Sequence, residues 1–83
     1  MRVYMQILTE EGKPPRFYQL LLQEDLINGW TLVREWGQQG LAGRVKKDHF
    51  PNREDAQRAL LKVRDAQVKR GYRVVYTRGE EAI

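Results

Sequence analysis

Residues 16–36 read RFYQLLLQEDLINGWTLVREW, and this stretch predicts two antiparallel strands joined by a tight turn. From Arg16 to Glu24 and from Trp30 to Trp36, the residues alternate at strand spacing or are of the β-branched and aromatic types that strands favour. Asn28-Gly29 lies between the two apolar runs and is a strong hairpin-turn signal. The central part of the chain is therefore predicted to be a β-hairpin.

Further strands are predicted on both sides of this hairpin. Val3 to Leu8 alternates at strand spacing and ends before a turn that contains Gly12 and two prolines. Arg44 to Phe50 follows a glycine-rich loop, and its polar content is typical of an exposed face or an edge strand. Tyr72 to Tyr76 is predicted to be a short last strand.

The apolar period changes from strand to helix after residue 52. Asn52 followed by acidic residues is typical of a helix N-cap, and Gly71 is well placed to end the helix, which we predict from about Arg53 to Arg70. Five residues share its apolar face: Ala56, Ala59, Leu60, Val63 and Ala66.

These elements predict an α+β fold. Consecutive strands joined by short turns pair antiparallel. A helix with one apolar stripe covers one face of a sheet. We therefore predict an antiparallel β-sheet of four to five strands with one α-helix packed on one face. The other face of the sheet is left for water or for a partner.

The 83 residues are long enough for one small domain, 1–83, with a frayed tail at 78–83. The net charge is +4, and residues 53–83 carry +3 of it, with eight Lys and Arg against five Asp and Glu. A solvated surface and a polyanionic partner both fit this balance. No apolar run exceeds three residues and no signal peptide is evident, so we expect a cytoplasmic protein without membrane contact.

The composition argues against catalysis. The chain has no serine and no cysteine, which removes the commonest nucleophiles, and His49 is its one histidine. Its paired acids, such as Glu10 with Glu11, are sequence neighbours in turns and make poor acid–base dyads. We predict no enzymatic activity, no cofactor and no metal site.

Residues 34–44, REWGQQGLAGR, are the most informative stretch for function. An aromatic ring flanked by glycines at a strand end can be presented for stacking on a base or sugar, or it can close the core as large aromatics do; both interpretations of Trp36 stay open. Arg34 is predicted on the same strand face as Trp36, where it can stack on a ring or pair with a carboxylate. Arg44, Lys46 and Lys47 follow directly after the loop and add a basic cluster.

The chain resembles the WGR domain family, named for a Trp-Gly-Arg motif and found in poly(ADP-ribose) polymerases and in bacterial proteins. The resemblance covers residues 16–76, with the family's spacing kept, and involves four segments: Phe17-Tyr18-Gln19-Leu20, Trp36-Gly37 with Gly40 and Gly43, Phe50 followed by Ala56, and Lys69-Arg70-Gly71-Tyr72. The sequence departs from the family at the third letter of the motif, where Gln38 replaces the arginine.

The resemblance implies a sheet with one packed helix and contact with DNA at a strand break. In the polymerases the motif tryptophan lies against the terminal sugar and the arginine near the backbone. Carried over, Trp36 is the stacking residue, and Gln38 can hydrogen-bond a phosphate but brings no charge. No catalytic domain is present, so ADP-ribosyl transfer is not implied. The predicted nucleic-acid-binding residues are Arg34, Trp36, Gly37, Gln38, Arg44, Lys46 and Lys47.

The resulting hypothesis is a non-enzymatic module that binds nucleic acid, DNA rather than RNA, as duplex or at its ends. The alternative is a protein-interaction or regulatory module that docks a partner through the uncovered sheet face. Leu61 and Val68 lie on a helix face outside the predicted core stripe. Such a small patch supports a monomer or a weak homodimer, which would have to recruit the sheet face or an edge strand such as Val3 to Leu8.

Overall fold

A computed structural model of the chain describes residues 1–79. One five-stranded sheet in the order β4-β3-β2-β1-β5 carries one helix, and every neighbouring pair of strands is antiparallel. The elements are β1 (Arg2–Ile7), β2 (Arg16–Asp25), β3 (Gly29–Gln38), β4 (Arg44–Phe50), α1 (Arg53–Lys69) and β5 (Arg73–Arg78). The predicted α+β fold is confirmed.

The position of β1 differs from the sequence-based expectation. Val3 to Leu8 was expected as an edge strand, but β5 returns beside it, so that β1 pairs with β2 on one side and with β5 on the other. The edges are β4 and β5. This pairing joins segments that are far apart in the sequence, because α1 carries the chain across the sheet before β5 begins. Leu8 lies outside β1 and is 78% exposed.

The C-terminal end of the chain also differs in part from the sequence-based expectation. The predicted tail began at residue 78, yet Arg78 is the last residue of β5 and pairs with Arg2. Residues 80–83 of that predicted tail lie outside the described residues. Within residues 1–79, no helix is both long and apolar enough to cross a membrane.

The core lies between α1 and one face of the sheet. Alternation along the strands sends every second residue to this side. The fully or nearly fully buried apolar residues are Val3, Met5, Tyr18, Leu20, Leu22, Leu32, Ala56 and Leu60. The side of the sheet turned away from α1, which we call the open face, carries Tyr4, Phe17 and Tyr76 in a stacked row across β2, β1 and β5.

The helix begins and ends as its sequence predicts. The Asn52 side chain accepts a hydrogen bond from the Asp55 amide at 2.8 Å, which satisfies one of the free donors of the first turn. At the other end Gly71 takes a φ of +108°, a conformation that glycine adopts without steric cost. The Tyr72 amide donates to the Gln67 carbonyl and the Gly71 amide to the Val68 carbonyl, each at 3.0 Å. This pair of bonds is a Schellman motif.

The buried stripe of α1 differs from the predicted one only towards its C-terminal end. Ala56, Ala59, Leu60 and Val63 are buried or pack against the core as predicted, but Ala66 is exposed and Gln67 is buried instead. From Ala56 through Leu60 and Val63 to Gln67 the stripe advances in steps of four, three and four residues. Such alternating steps keep one seam against the sheet along a helix with 3.6 residues per turn. Leu61, predicted on an outer face, is partly buried and packs against the core.

Asp25 organises the turn between β2 and β3. Its carboxylate accepts hydrogen bonds from the Ile27 amide at 3.0 Å and from the Thr31 hydroxyl at 3.3 Å, and lies 2.8 Å from His49 Nδ1. Desolvation raises the pKa of Asp25, but the hydrogen bonds from Ile27, His49 and Thr31 and the charge of His49 outweigh it and lower the pKa overall. The turn is therefore stabilised by the ionised carboxylate.

We expect Asp25→Asn to lower the melting temperature at pH 7. A carboxyl with a lowered folded-state pKa contributes stability above the unfolded value of about 3.9, and this contribution is lost as the pH falls through the folded-state value. The difference in melting temperature between wild type and variant should therefore become smaller from about pH 5 downward, as measured by thermal melts followed by circular dichroism. Asp65→Asn, which removes an exposed carboxylate bonded to its neighbour Arg64, is the control. A difference in melting temperature that stays constant with pH contradicts this account of Asp25.

Candidate nucleic-acid interface

Trp36 lies on the helix side of β3, at the end of the strand. Its ring stacks on Tyr18 of β2, with centroids 5.5 Å apart and planes 11° from parallel. Tyr72, just after α1, meets Tyr18 edge to face at 6.0 Å. Trp36 is half-buried and packs against the core, so it closes the core with one part of the ring and borders a groove with another. The ring therefore closes part of the core, and its stacking on a base or sugar stays a prediction.

The groove beside Trp36 has a volume of about 770 Å³ and lies between the sheet and the C-terminal turn of α1. Its walls include the three rings of Tyr18, Trp36 and Tyr72. Four cationic side chains also line it: Arg16, Arg34, Lys46 and Arg70. We call this cleft the basic groove.

The charges of the basic groove are poorly neutralised. Among the described residues 1–79, no carboxylate lines it. Arg34 forms an ion pair with Asp48 at 3.2 Å. Of the two roles predicted for this arginine, stacking on a ring or pairing with a carboxylate, the structure shows the second. Arg16, Lys46 and Arg70 are exposed and make no ion pair with any residue of the range 1–79. Like charges held together in a concave site attract polyanions.

Glycines let the loop between β3 and β4 pass close to its neighbours. A Cβ at Gly43 would lie 2.7 Å from the Trp36 carbonyl oxygen and 3.1 Å from Cζ of Phe17. Real side chains essentially never show such short contacts, so a larger residue would displace Trp36 or the Phe17 ring. The Gln39 amide donates to the Tyr4 hydroxyl and its backbone N–H to the Pro15 carbonyl at 2.9 Å. The glycine-rich loop therefore packs closely against the backbone of Trp36 and the ring of Phe17.

The structure brings three of the predicted site residues together, since Arg34, Trp36 and Lys46 all line the basic groove. Arg44 pairs with Trp36 across β3 and β4 and shares its sheet face, so it lies at the border of the groove. Gln38 comes two residues after Trp36, on the same face by alternation, and pairs with Arg16.

The remaining two predicted residues do not join this group. Gly37 pairs with Phe17 and belongs to the open face, and Lys47, which pairs with Val33, belongs there as well. Consecutive residues of a strand point to opposite sides of the sheet. This period already separates Lys46 from Lys47 in the sequence, so grouping the two lysines beside Trp36 ignored an available signal.

Sequence reasoning missed several residues that complete the groove. Tyr72 and Arg70 belong to the helix exit that carries the family resemblance, but nothing local places this exit beside Trp36. Arg16 is the first residue of β2 and pairs with Gln38 only because the hairpin register extends that far. Gln67 was not identified because a polar residue at the end of an amphipathic helix normally indicates solvent.

Comparisons with known proteins agree with this architecture. The family model described as "WGR domain" matches residues 1–79, a longer range than the resemblance at 16–76. An uncharacterized protein of Sinorhizobium fredii (strain NBRC 101917 / NGR234), named y4dW, is 33% identical over 72 residues, which cover 87% of this chain and 35% of that protein. The chain thus spans about a third of the length of this curated relative. No solved structure matches the chain.

The family model spans every strand and the helix, including the glycine-rich loop, the helix exit and the residues that line the basic groove. The departure at Gln38 lies within the matched range and does not interrupt it. The chain therefore belongs to the WGR domain family.

Proposed function

We propose that this chain is a non-enzymatic module that binds DNA, as duplex or at duplex ends, through the basic groove. The observation that carries this proposal is the convergence of three aromatic rings and four cations on one cleft that no carboxylate of residues 1–79 lines. Cations recognise phosphates, and rings pack against bases or sugars with about 1–3 kcal/mol per stacked base. WGR domains are generally nucleic-acid-binding modules, which supports the same conclusion.

The three cations without an ion pair in residues 1–79 are the proposed phosphate ligands. Arg16, Lys46 and Arg70 enter the groove from β2, β4 and the end of α1, so they surround the Trp36 ring from different elements. Arg34 is already bonded to Asp48 and is less free to move. A strand backbone that passes along the groove would thus meet guanidinium and ammonium groups on both sides of the ring.

A comparison of two neighbouring lysines tests the location of the site. Lys46→Gln should weaken binding of a short blunt DNA duplex and reduce the slope of log K against log salt by about 0.9, because one phosphate contact is lost. Lys47→Gln removes the same charge from the open face and should change neither quantity. Fluorescence anisotropy with a labelled duplex at several salt concentrations measures both. Equal losses in the two variants contradict the assignment to the basic groove.

Gln38 provides a gain-of-function test. Gln38→Arg places a charged, fork-shaped donor on the side of β3 that carries Trp36, and should strengthen DNA binding in the same titration. Gln23→Arg adds an equal charge at an exposed site on the open face of β2 and is the matched control. Unchanged affinity in the Gln38 variant would mean that the loop does not approach the DNA backbone.

The open face supports a second candidate function, docking of a protein partner. It is not covered by α1, and Val45 on β4 is 55% exposed there. Its aromatic row, however, is largely engaged with itself, because Tyr4 stacks between Tyr76 at 5.5 Å and Phe17 at 6.3 Å. DNA binding that is absent at low salt would favour this alternative.

We infer a monomer in solution, with at most weak self-association. Of the two residues proposed as a contact between helices, Leu61 packs against the core and only Val68 is exposed, at 45%. One exposed valine supplies far less than the roughly 1,000 Å² that a stable interface needs. Sedimentation that shows a dimer persisting at nanomolar concentration would contradict this inference.

A further inference from the structure

Gln67 is a buried polar residue in an apolar position. It is 7% exposed and is the one polar side chain classed as buried among residues 1–79. It occupies the third position from the end of α1, where a Schellman motif is usually accompanied by an apolar contact with the residue after the glycine. That residue here is Tyr72, whose amide bonds to the Gln67 carbonyl. An apolar side chain would fit this packing at least as well.

The side-chain amide of Gln67 has no hydrogen-bond partner among the described residues, although its backbone carbonyl accepts from both Arg70 and Tyr72. Its atoms line the basic groove together with the rings of Trp36 and Tyr72. The residue as a whole is buried, but its amide nitrogen and oxygen are not sealed from solvent and reach the surface of the groove. The amide therefore presents an unpaired donor and an unpaired acceptor to whatever occupies the groove.

We propose that the basic groove holds one unpaired nucleotide and that the Gln67 amide hydrogen-bonds to its base. This inference rests on the proposed function and specifies its ligand. Ring walls favour a flat base, and a glutamine amide has the donor and acceptor spacing that matches a base edge such as that of adenine. The exposed cations Arg16, Lys46 and Arg70 are then available for the phosphate. A groove of about 770 Å³ is within the usual size of sites for small ligands.

The base must be unpaired for this contact. In a duplex, each base is stacked between its neighbours, so its faces are not available to pack against the rings of the groove while its edge meets Gln67. A base that is splayed out from a single strand or an overhang exposes both its faces and its edges. The wild-type protein should therefore bind a duplex with a short single-stranded overhang more tightly than the matching blunt duplex. Free nucleoside monophosphates should compete for the same site.

Gln67→Met is the decisive variant, because methionine has a similar length but no hydrogen-bonding group. The affinity for an overhang duplex should fall about three- to tenfold, the loss expected for one hydrogen bond, while the affinity for a blunt duplex changes little. The melting temperature of the free protein should change little, because the amide makes no hydrogen bond within residues 1–79 and methionine has a similar volume. Gln23→Met, at an exposed glutamine on the open face, should change neither affinity nor melting temperature.

The competitors are AMP, GMP, CMP and UMP, added to the protein with labelled overhang duplex. Displacement that differs among the four nucleotides, and that becomes uniform in Gln67→Met, supports contact between the amide and the base. A shift of the Gln67 side-chain amide signals in nuclear magnetic resonance spectra on addition of the best competitor supports it directly. If Gln67→Met lowers both the DNA affinity and the melting temperature, the amide signal of the wild-type protein decides between a binding and a structural role. A Gln67 amide signal that does not shift on addition of the nucleotide then overturns the proposal.

The outcomes separate this inference from the function on which it rests. DNA binding with no preference for overhangs and no competition by nucleotides overturns the nucleotide site and leaves the proposed function standing. A lower melting temperature in Gln67→Met with unchanged affinity for the overhang duplex identifies Gln67 as a structural residue and also overturns it. Failure of the wild-type protein to bind any DNA, together with binding of nucleotides, would overturn the proposed function and retain the site.

Discussion

The stack of Trp36 on Tyr18 is the contact on which both the fold and the site depend. It joins β2 and β3 at the point where the buried part of the sheet ends, with ring centroids 5.5 Å apart. On one side the two rings complete the hydrophobic core. On the other side they form the wall of the basic groove, and Tyr72 adds a third ring against Tyr18. The same aromatic surface therefore belongs to the core on one side and to the groove on the other.

The charges around this stack gather without matching carboxylates. Arg16, Lys46 and Arg70 reach one cleft from separate elements, and no carboxylate of residues 1–79 lines it. Asp48 neutralises only Arg34. In the same place Gln67 is a buried residue whose side-chain amide has no hydrogen-bond partner within residues 1–79. Departures from the usual rules of packing and charge pairing that gather at one cleft are typical of a binding site.

Much of the fold follows from local patterns. The alternation from Arg16 to Trp36, the N-cap at Asn52 and the glycine at position 71 define the hairpin and the helix, and the structure confirms each of them. The neighbour of β1 could not be predicted in this way, because β5 reaches it only after the chain has crossed the sheet as α1. Pairing between distant segments is decided by packing of the whole chain rather than by any local signal.

The candidate site was predictable only along β3 and β4. Arg34, Trp36 and Lys46 could be assigned because they alternate on neighbouring strands, and the same alternation assigns Lys47 to the open face. The residues that the C-terminal end of α1 adds to the basic groove depend on how the helix is rotated about its axis over the sheet. That rotation buries Gln67 and exposes Ala66, and it is set by the fit of the helix against the core rather than by hydrophobicity alone.

The two tryptophans of the chain offer the most direct test of the basic groove. Both lie on the helix side of β3, but Trp36 borders the groove, whereas Trp30 is at the far end of the strand beneath the guanidinium of Arg53, 5.6 Å from the ring centroid. Each indole N–H gives its own signal in a nitrogen–proton correlation spectrum. On titration with a DNA duplex that carries an overhang, the Trp36 signal should shift or broaden while the Trp30 signal stays in place. Equal shifts of both signals, or movement confined to the open-face residues Tyr4 and Tyr76, would contradict the account.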